Sequence, residues 1–132
     1  MTTPLLILIA GPYRSGTGGD PAAIARNLAR LEAAAAPIYR LGHVPMIGEW
    51  VALPILRGAA DDAALGSDGA ADGDVMYETA RRLLQHCDAV LRLSGESSGA
   101  DTDVMIARER GIPVYVDLAD IPAVTTAASA PA

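Results

Sequence analysis

Ser94-Gly-Glu-Ser-Ser-Gly-Ala-Asp-Thr-Asp103 is the stretch on which the reading of this chain turns. An apolar run, Ala89-Val-Leu-Arg-Leu93, stops where it begins, and the helical pattern Val104-Met-Ile-Ala-Arg-Glu-Arg-Gly111 follows at once. A strand therefore delivers the chain to a polar Gly/Ser turn, and a helix departs from that turn. The first turn of a helix has unpaired N–H groups and a positive dipole end, which suits an anion such as phosphate. Ser97 and Ser98 add hydroxyl donors, and Gly95 and Gly99 let a ligand come close to the backbone. Asp101 and Asp103 fall just inside the helix, where the dipole favours a carboxylate. A plain capped helix start, with Ser98 or Asp101 as the N-cap, accounts for the same residues.

Outward from this turn the chain alternates strand and helix patterns. Leu5-Leu-Ile-Leu-Ile-Ala10 is a continuous apolar run, the pattern of a strand buried on both faces of a parallel sheet. Gly11-Pro-Tyr-Arg-Ser-Gly-Thr-Gly-Gly19 follows as a polar loop that matches neither a Walker motif nor GxGxxG. Asp20 reads as the cap and Pro21 as the first residue of a helix whose apolar stripe is Ile24, Leu28, Leu31, Ala35 and Ile38, with Gly42 as its stop. His43–Ile47 reads as a short strand near an edge, because it contains Pro45. Trp50, Leu53, Ile55 and Leu56 suggest a short helix or a packed loop. The Ala/Gly/Asp-rich residues 58–74 read as a mobile surface loop or lid. Val75–Cys87 is amphipathic, Asp88–Leu93 reads as the third strand and Ile112–Asp117 as the last.

This order predicts one α/β domain over residues 1–122, with a flavodoxin-like or Rossmann-like doubly wound, mostly parallel sheet of four or five strands. Residues 123–132 are expected to form a disordered tail. Ligands of such sheets bind outside the carboxyl ends of the strands. Both glycine-containing turns, 11–19 and 94–100, fall at such ends, so the sequence places a site between them.

Composition narrows what the site can do. The 132 residues carry a net charge of −6 and no basic stripe, which argues against nucleic acid as a partner but leaves room for a small anion. One cysteine, Cys87, excludes an internal disulfide and a Cys-based zinc cluster, and its place at the end of a helix suggests a buried thiol. No secretory signal or membrane-length apolar run is visible, so a cytoplasmic protein is expected. Neither His43 nor His86 sits in a metal-binding spacing, and Gly-x-Ser-x-Gly is absent, so neither a metal nor any other cofactor is expected. That leaves carboxylates. Asp101 is placed to cap the helix or meet solvent, whereas Asp103, one turn before Ala107, is placed on the inward face.

Leu8-Ile-Ala-Gly-Pro-Tyr-Arg14, Arg40-Leu-Gly-His-Val-Pro45, Cys87-Asp-Ala-Val-Leu-Arg-Leu93, Ser97-Ser-Gly-Ala-Asp-Thr-Asp-Val-Met-Ile-Ala107 and Gly111-Ile-Pro-Val-Tyr115 together resemble the nucleoside 2-deoxyribosyltransferase superfamily. The resemblance covers most of the first 118 residues apart from 58–74, and rests on the order and spacing of the segments. It implies a flavodoxin-like homo-oligomer, a dimer or larger, that cleaves or transfers at the N-glycosidic bond of a nucleoside or nucleoside 5′-monophosphate. The pattern Ser-x-Gly-x-x-x-Glu, whose Glu is the family's nucleophile, falls on Ser97, Gly99 and Asp103, with Asp in place of Glu. The resemblance further implies phosphate binding by Ser97, with Ser98, Gly99 and Asp101 beside it. Gly11, Tyr13 and Arg14 would form the loop around sugar and phosphate. A second acid of the family falls on Ala80, where Glu78 is the nearest carboxylate. These two departures favour an alternative of the same fold, a nucleotide-binding module without chemistry.

Overall fold

Leu6–Ala10 forms β1, and its unbroken apolar run reflects burial on two faces at once. Ile7 and Ile9 point to one side, where with Ala89 and Leu91 they meet Leu31, Ala34, Ile38 and Ile121. Leu8 and Ala10 point to the other, where with Val90 they meet Leu84, Cys87, Ala100 and Ala107. A half-buried strand would need a polar residue at every second position, and β1 has none.

The computed structural model describes residues 3–59 and 69–124. After β1 come α1 (Pro21–Ala33), α2 (Ala35–Arg40), β2 (Val44–Met46), α3 (Gly48–Ala59), α4 (Gly69–Leu84), β3 (Ala89–Arg92), α5 (Ser98–Arg110) and β4 (Val114–Tyr115). The four strands form one wholly parallel sheet in the order β2-β1-β3-β4. The chain steps from β1 to β2 on one side, then returns across β1 to place β3 and β4 on the other. The strand order thus reverses between β1 and β3, and a crevice opens at their carboxyl ends. The doubly wound α/β fold is as the sequence predicts.

Several elements differ from the sequence reading. The stripe from Ile24 to Ile38 is divided between two helices that meet at Ala34. Pro37 is the cause: it has no N–H to give Ala33, so it falls in the first turn of a new helix instead of the interior of a long one. Asp20 does cap α1, its carboxylate accepting from the Ala23 N–H at 3.3 Å with Pro21 at the first position. The expected loop over 58–74 is helical at both ends, since α3 runs through Ala59 and α4 begins at Gly69; the rest of it lies outside the described residues. The last strand keeps only Val114 and Tyr115. Of the tail expected from 123 onward, Val124 is tied down, its N–H donating to Leu41 O at 2.7 Å. It also covers Gly42, whose φ of +97° and 2.6 Å gap between an added Cβ and Val124 Cβ leave room for no side chain. Residues 125–132 lie outside the described ones.

His43 holds the amino end of the sheet. It is 2 % exposed; Nδ1 accepts from the Leu5 N–H at 3.0 Å, so Nε2 carries the hydrogen and donates to Pro122 O at 2.6 Å. We expect His43→Leu to cost about 2 kcal/mol in denaturant melts, because it takes the partner from the half-buried Leu5 N–H and from the Pro122 carbonyl together. A loss under about 1 kcal/mol would show that water replaces both bonds. Cys87 is buried, and burial with the neighbouring Asp88 charge pushes its thiol up to about 11, so it packs without reacting. No helix among the described residues is long and apolar enough to cross a membrane.

Candidate active site

Three of the four strand ends feed one cleft of about 200 Å³. Leu8, Ile9 and Ala10 of β1 form its floor. Gly11, Tyr13 and Arg14 enter from the β1–α1 loop, Gly48 and Glu49 from the start of α3 beyond β2, and Ser97–Ala100 with Asp103 from α5 beyond β3. Met76, Tyr77 and Ala80 of α4 close the remaining side.

Side chains outside the cleft hold its two main turns. Asn27 donates to Tyr13 O at 2.8 Å, fixing the β1–α1 loop from α1. Arg30 donates to Ser94 O at 2.8 Å and to Ser94 Oγ at 2.9 Å, tying α1 to the β3–α5 turn. Arg92 braces that turn from within, donating to Leu93 O, to Gly95 O at 3.0 Å and to Asp101 Oδ1 at 2.9 Å. Gly95 has φ +117°, and a Cβ there would lie 2.8 Å from Pro12 Cγ, so a glycine is what lets the two turns touch.

The N-cap of α5 is Ser97, one residue before the earlier of the two expected caps. Its Oγ accepts from the Ala100 N–H at 3.1 Å, and the residue is buried. The Ser97 hydroxyl hydrogen stays available for a ligand, and the N–H groups of Ser98 and Gly99, the first two of the helix, have no intrahelical acceptor. Tyr77 stands over this end of α5, its Oη 3.3 Å from Ser98 Oγ.

With α5 starting at Ser98, Asp103 occupies the second helical turn. It shares a face with Ala100 and Ala107, both buried against the sheet, so its carboxylate is directed into the cleft. Burial, reinforced by the charge of Glu49 and opposed by that of Arg92, raises its pKa from 3.8 to about 7. Glu49 is itself raised by burial, partly offset by a hydrogen bond from its own backbone N–H. Two carboxylates therefore share one small, poorly solvated space.

Gly11, Tyr13, Arg14, Ser97, Ser98, Gly99 and Asp103, all singled out from the sequence, line this cleft together. Asp101 does not. It lies in the first turn of α5 with its side chain 72 % exposed and paired to Arg92, so it stabilises the turn from outside. Glu78 also faces away, held by Arg81 at 2.5 Å and Arg82 at 3.1 Å on the surface of α4. Ala80 lines the cleft without adding an acid. Sequence reasoning missed Glu49 and Tyr77. The available signal for Glu49 was Gly48-Glu49 directly after a strand, at the same sheet edge as the two glycine turns. Compared with protein-family models, curated proteins and solved structures, the chain matches none of them.

Proposed function

We propose that this cleft cleaves, or transfers across, the N-glycosidic bond of a nucleoside or nucleoside 5′-monophosphate, with Asp103 as the nucleophile. The observation that carries the reading is the setting of Asp103: a desolvated carboxylate, one helical turn beyond the free N–H groups of Ser98 and Gly99. That separation is about 6 Å along the helix, a span that a ribose ring and its 5′ carbon can bridge. A 5′-phosphate would take the Ser97 hydroxyl, the Ser98 and Gly99 N–H groups and Arg14, which leaves C1′ over Asp103.

Desolvation favours this chemistry, because an ionised carboxylate with few hydrogen bonds to lose attacks more readily. Asp103 would bond to C1′ as the C1′–N bond breaks and its electron pair leaves with the base. Water, or a second base, would then displace Asp103 from C1′. The same two-step logic serves retaining glycosidases. Tyr13 and Tyr77, at the mouth, offer flat apolar surfaces to a base.

The reading is tested by incubating the protein with a panel of nucleosides and their monophosphates and measuring free base. Base release supports it. Thermal stabilisation by the same compounds with no release would support the alternative of a binding module, which the Asp at 103 and Ala80 favour. Ser97→Ala tests the phosphate role. It should weaken a monophosphate about tenfold more than its parent nucleoside, the effect of one hydrogen bond to a charged group, and cost about 1 kcal/mol of stability through the lost cap. Equal weakening of both ligands would remove Ser97 from phosphate binding.

A further inference from the structure

We propose that Glu49 is the second catalytic group of this cleft, giving a proton to the departing base and then taking one from the incoming water. The inference rests on the glycosidic reading above and deepens it, by naming the acid–base partner that reading lacks.

The placement comes from topology. In the order β2-β1-β3, the central strand ends on the cleft floor while β2 and β3 flank it. Glu49 arrives at the start of α3, just past the end of β2, and Asp103 arrives on α5, past the end of β3. The two carboxylates thus enter from opposite sides of β1 and border the same 200 Å³. A sugar lying on Asp103 has its base projecting from C1′, and Glu49 is the carboxylate that the opposite wall supplies. The acids nearer in sequence, Glu78 and Asp101, are committed to arginines outside the cleft.

The electrostatics suit a shared proton. The Glu49 charge opposes ionisation of Asp103, and burial opposes ionisation of both, so between their two titration steps the pair holds one proton and one negative charge. Among the described residues, the other groups with a bearing on the pair are Arg92, whose charge reaches Asp103 from the end of β3, Cys87, a thiol just before β3 that feels the Asp103 charge and stays protonated, and Arg14, Tyr13 and Tyr77, which line the cleft from the β1–α1 loop and α4. Positive charge developing at C1′ in the transition state draws the negative charge to Asp103 and leaves the proton on Glu49.

The steps balance. In the first, an Asp103 oxygen bonds to C1′, the C1′–N bond breaks toward the base, and the Glu49 proton moves to the base nitrogen. In the second, a water oxygen bonds to C1′, the bond to Asp103 breaks and returns its electrons to the carboxylate, and the water proton goes to Glu49. The sum is N-glycoside plus water giving sugar and free base, with both residues restored.

The test compares wild type with Glu49→Gln on two substrates: an ordinary nucleotide that the wild type hydrolyses, and its 7-methylguanine counterpart, whose base leaves without needing a proton. Glu49→Gln should slow the ordinary substrate by about 10²–10⁴-fold, the usual scale of acid–base catalysis, and the 7-methylguanine substrate far less. The wild-type kcat/KM should fall as pH rises past about 7, when the last shared proton is lost, and Glu49→Gln should lack that fall. In parallel, the carboxyl ¹³C resonance of Asp103 should titrate at lower pH in Glu49→Gln than in wild type, a readout independent of turnover. An equal loss on both substrates, an unimpaired variant or an unmoved Asp103 titration would overturn the role of Glu49 while leaving Asp103 in place. A wild type that releases base from no substrate would overturn the glycosidic reading itself, and this proposal with it.

Discussion

Asp103→Asn is expected to lower the release of free base by roughly 10⁴-fold or more, the scale seen when a nucleophile that acts with its partners is removed. Binding of a nucleoside monophosphate should change by less than about tenfold, since its phosphate contacts are assigned to Ser97–Gly99 and Arg14. The amide keeps the shape of the side chain and removes its charge, so a loss confined to turnover separates chemistry from packing. Asp103→Glu extends the arm by one methylene toward C1′ and should retain measurable release, where Asn does not. Steady-state assays of free base with parallel calorimetric binding check both statements. An Asp103→Asn variant that turns over normally would contradict the assignment.

The same substitution should make the protein more stable. In the folded chain Asp103 holds its proton up to about pH 7, whereas an unfolded aspartate ionises near 3.8. The unfolded state therefore releases its proton first, and the native state loses stability as pH rises from about 4 to about 7. At about 1.4 kcal/mol for each tenfold change in proton affinity, ionised Asp103 costs the fold about 4 kcal/mol above pH 7 and nothing below pH 4. Removing the charge recovers that stability where it is missing. Asp103→Asn should thus melt well above wild type at pH 8, by about 15 °C for a domain of this size, and nearly with it at pH 4. Thermal melts at the two pH values check this. Equal gains at both would mean that the amide improves packing and that burial of charge is not the cause. A site that costs stability when it carries its working charge is the pattern expected of a reactive group.

Much of the fold was legible because the sheet is buried on both faces. Leu6–Ala10 and Ala89–Arg92 have to be apolar at nearly every position, and that pattern is hard to mistake. Asp20-Pro21 announced α1, and Gly111, with φ +75°, announced the end of α5. The division of α1 from α2 was written in Pro37, but the apolar stripe continues across the break because both halves pack on the same side of the sheet. The Ala/Gly/Asp residues at the start of α4 have weak propensity and no apolar period, so nothing local distinguishes that turn from a loop.

The site was readable where one turn supplies several of its residues, as at 97–103 and 11–14. It was unreadable where it depends on how distant elements face each other. Glu49 lies 54 positions from Asp103 in the chain, and only the crossing of β1 brings them together. Asp101 and Asp103 differ by two positions, yet the helix sends one to Arg92 and the other to the cleft. Tyr77 was hidden in the same way, 21 positions before the Ser98 hydroxyl that it meets at the start of α5.

The central claim is a covalent bond between Asp103 and C1′, and mass spectrometry can observe it directly. The protein is incubated with a 2′-fluorinated arabinonucleotide, whose fluorine slows hydrolysis of the glycosyl ester, then quenched in acid, digested and mapped. The account predicts one sugar added per chain, on the peptide containing Asp103, and absent from Asp103→Asn. A sugar attached to Glu49 instead, or base released in full with no adduct on any peptide, would contradict it.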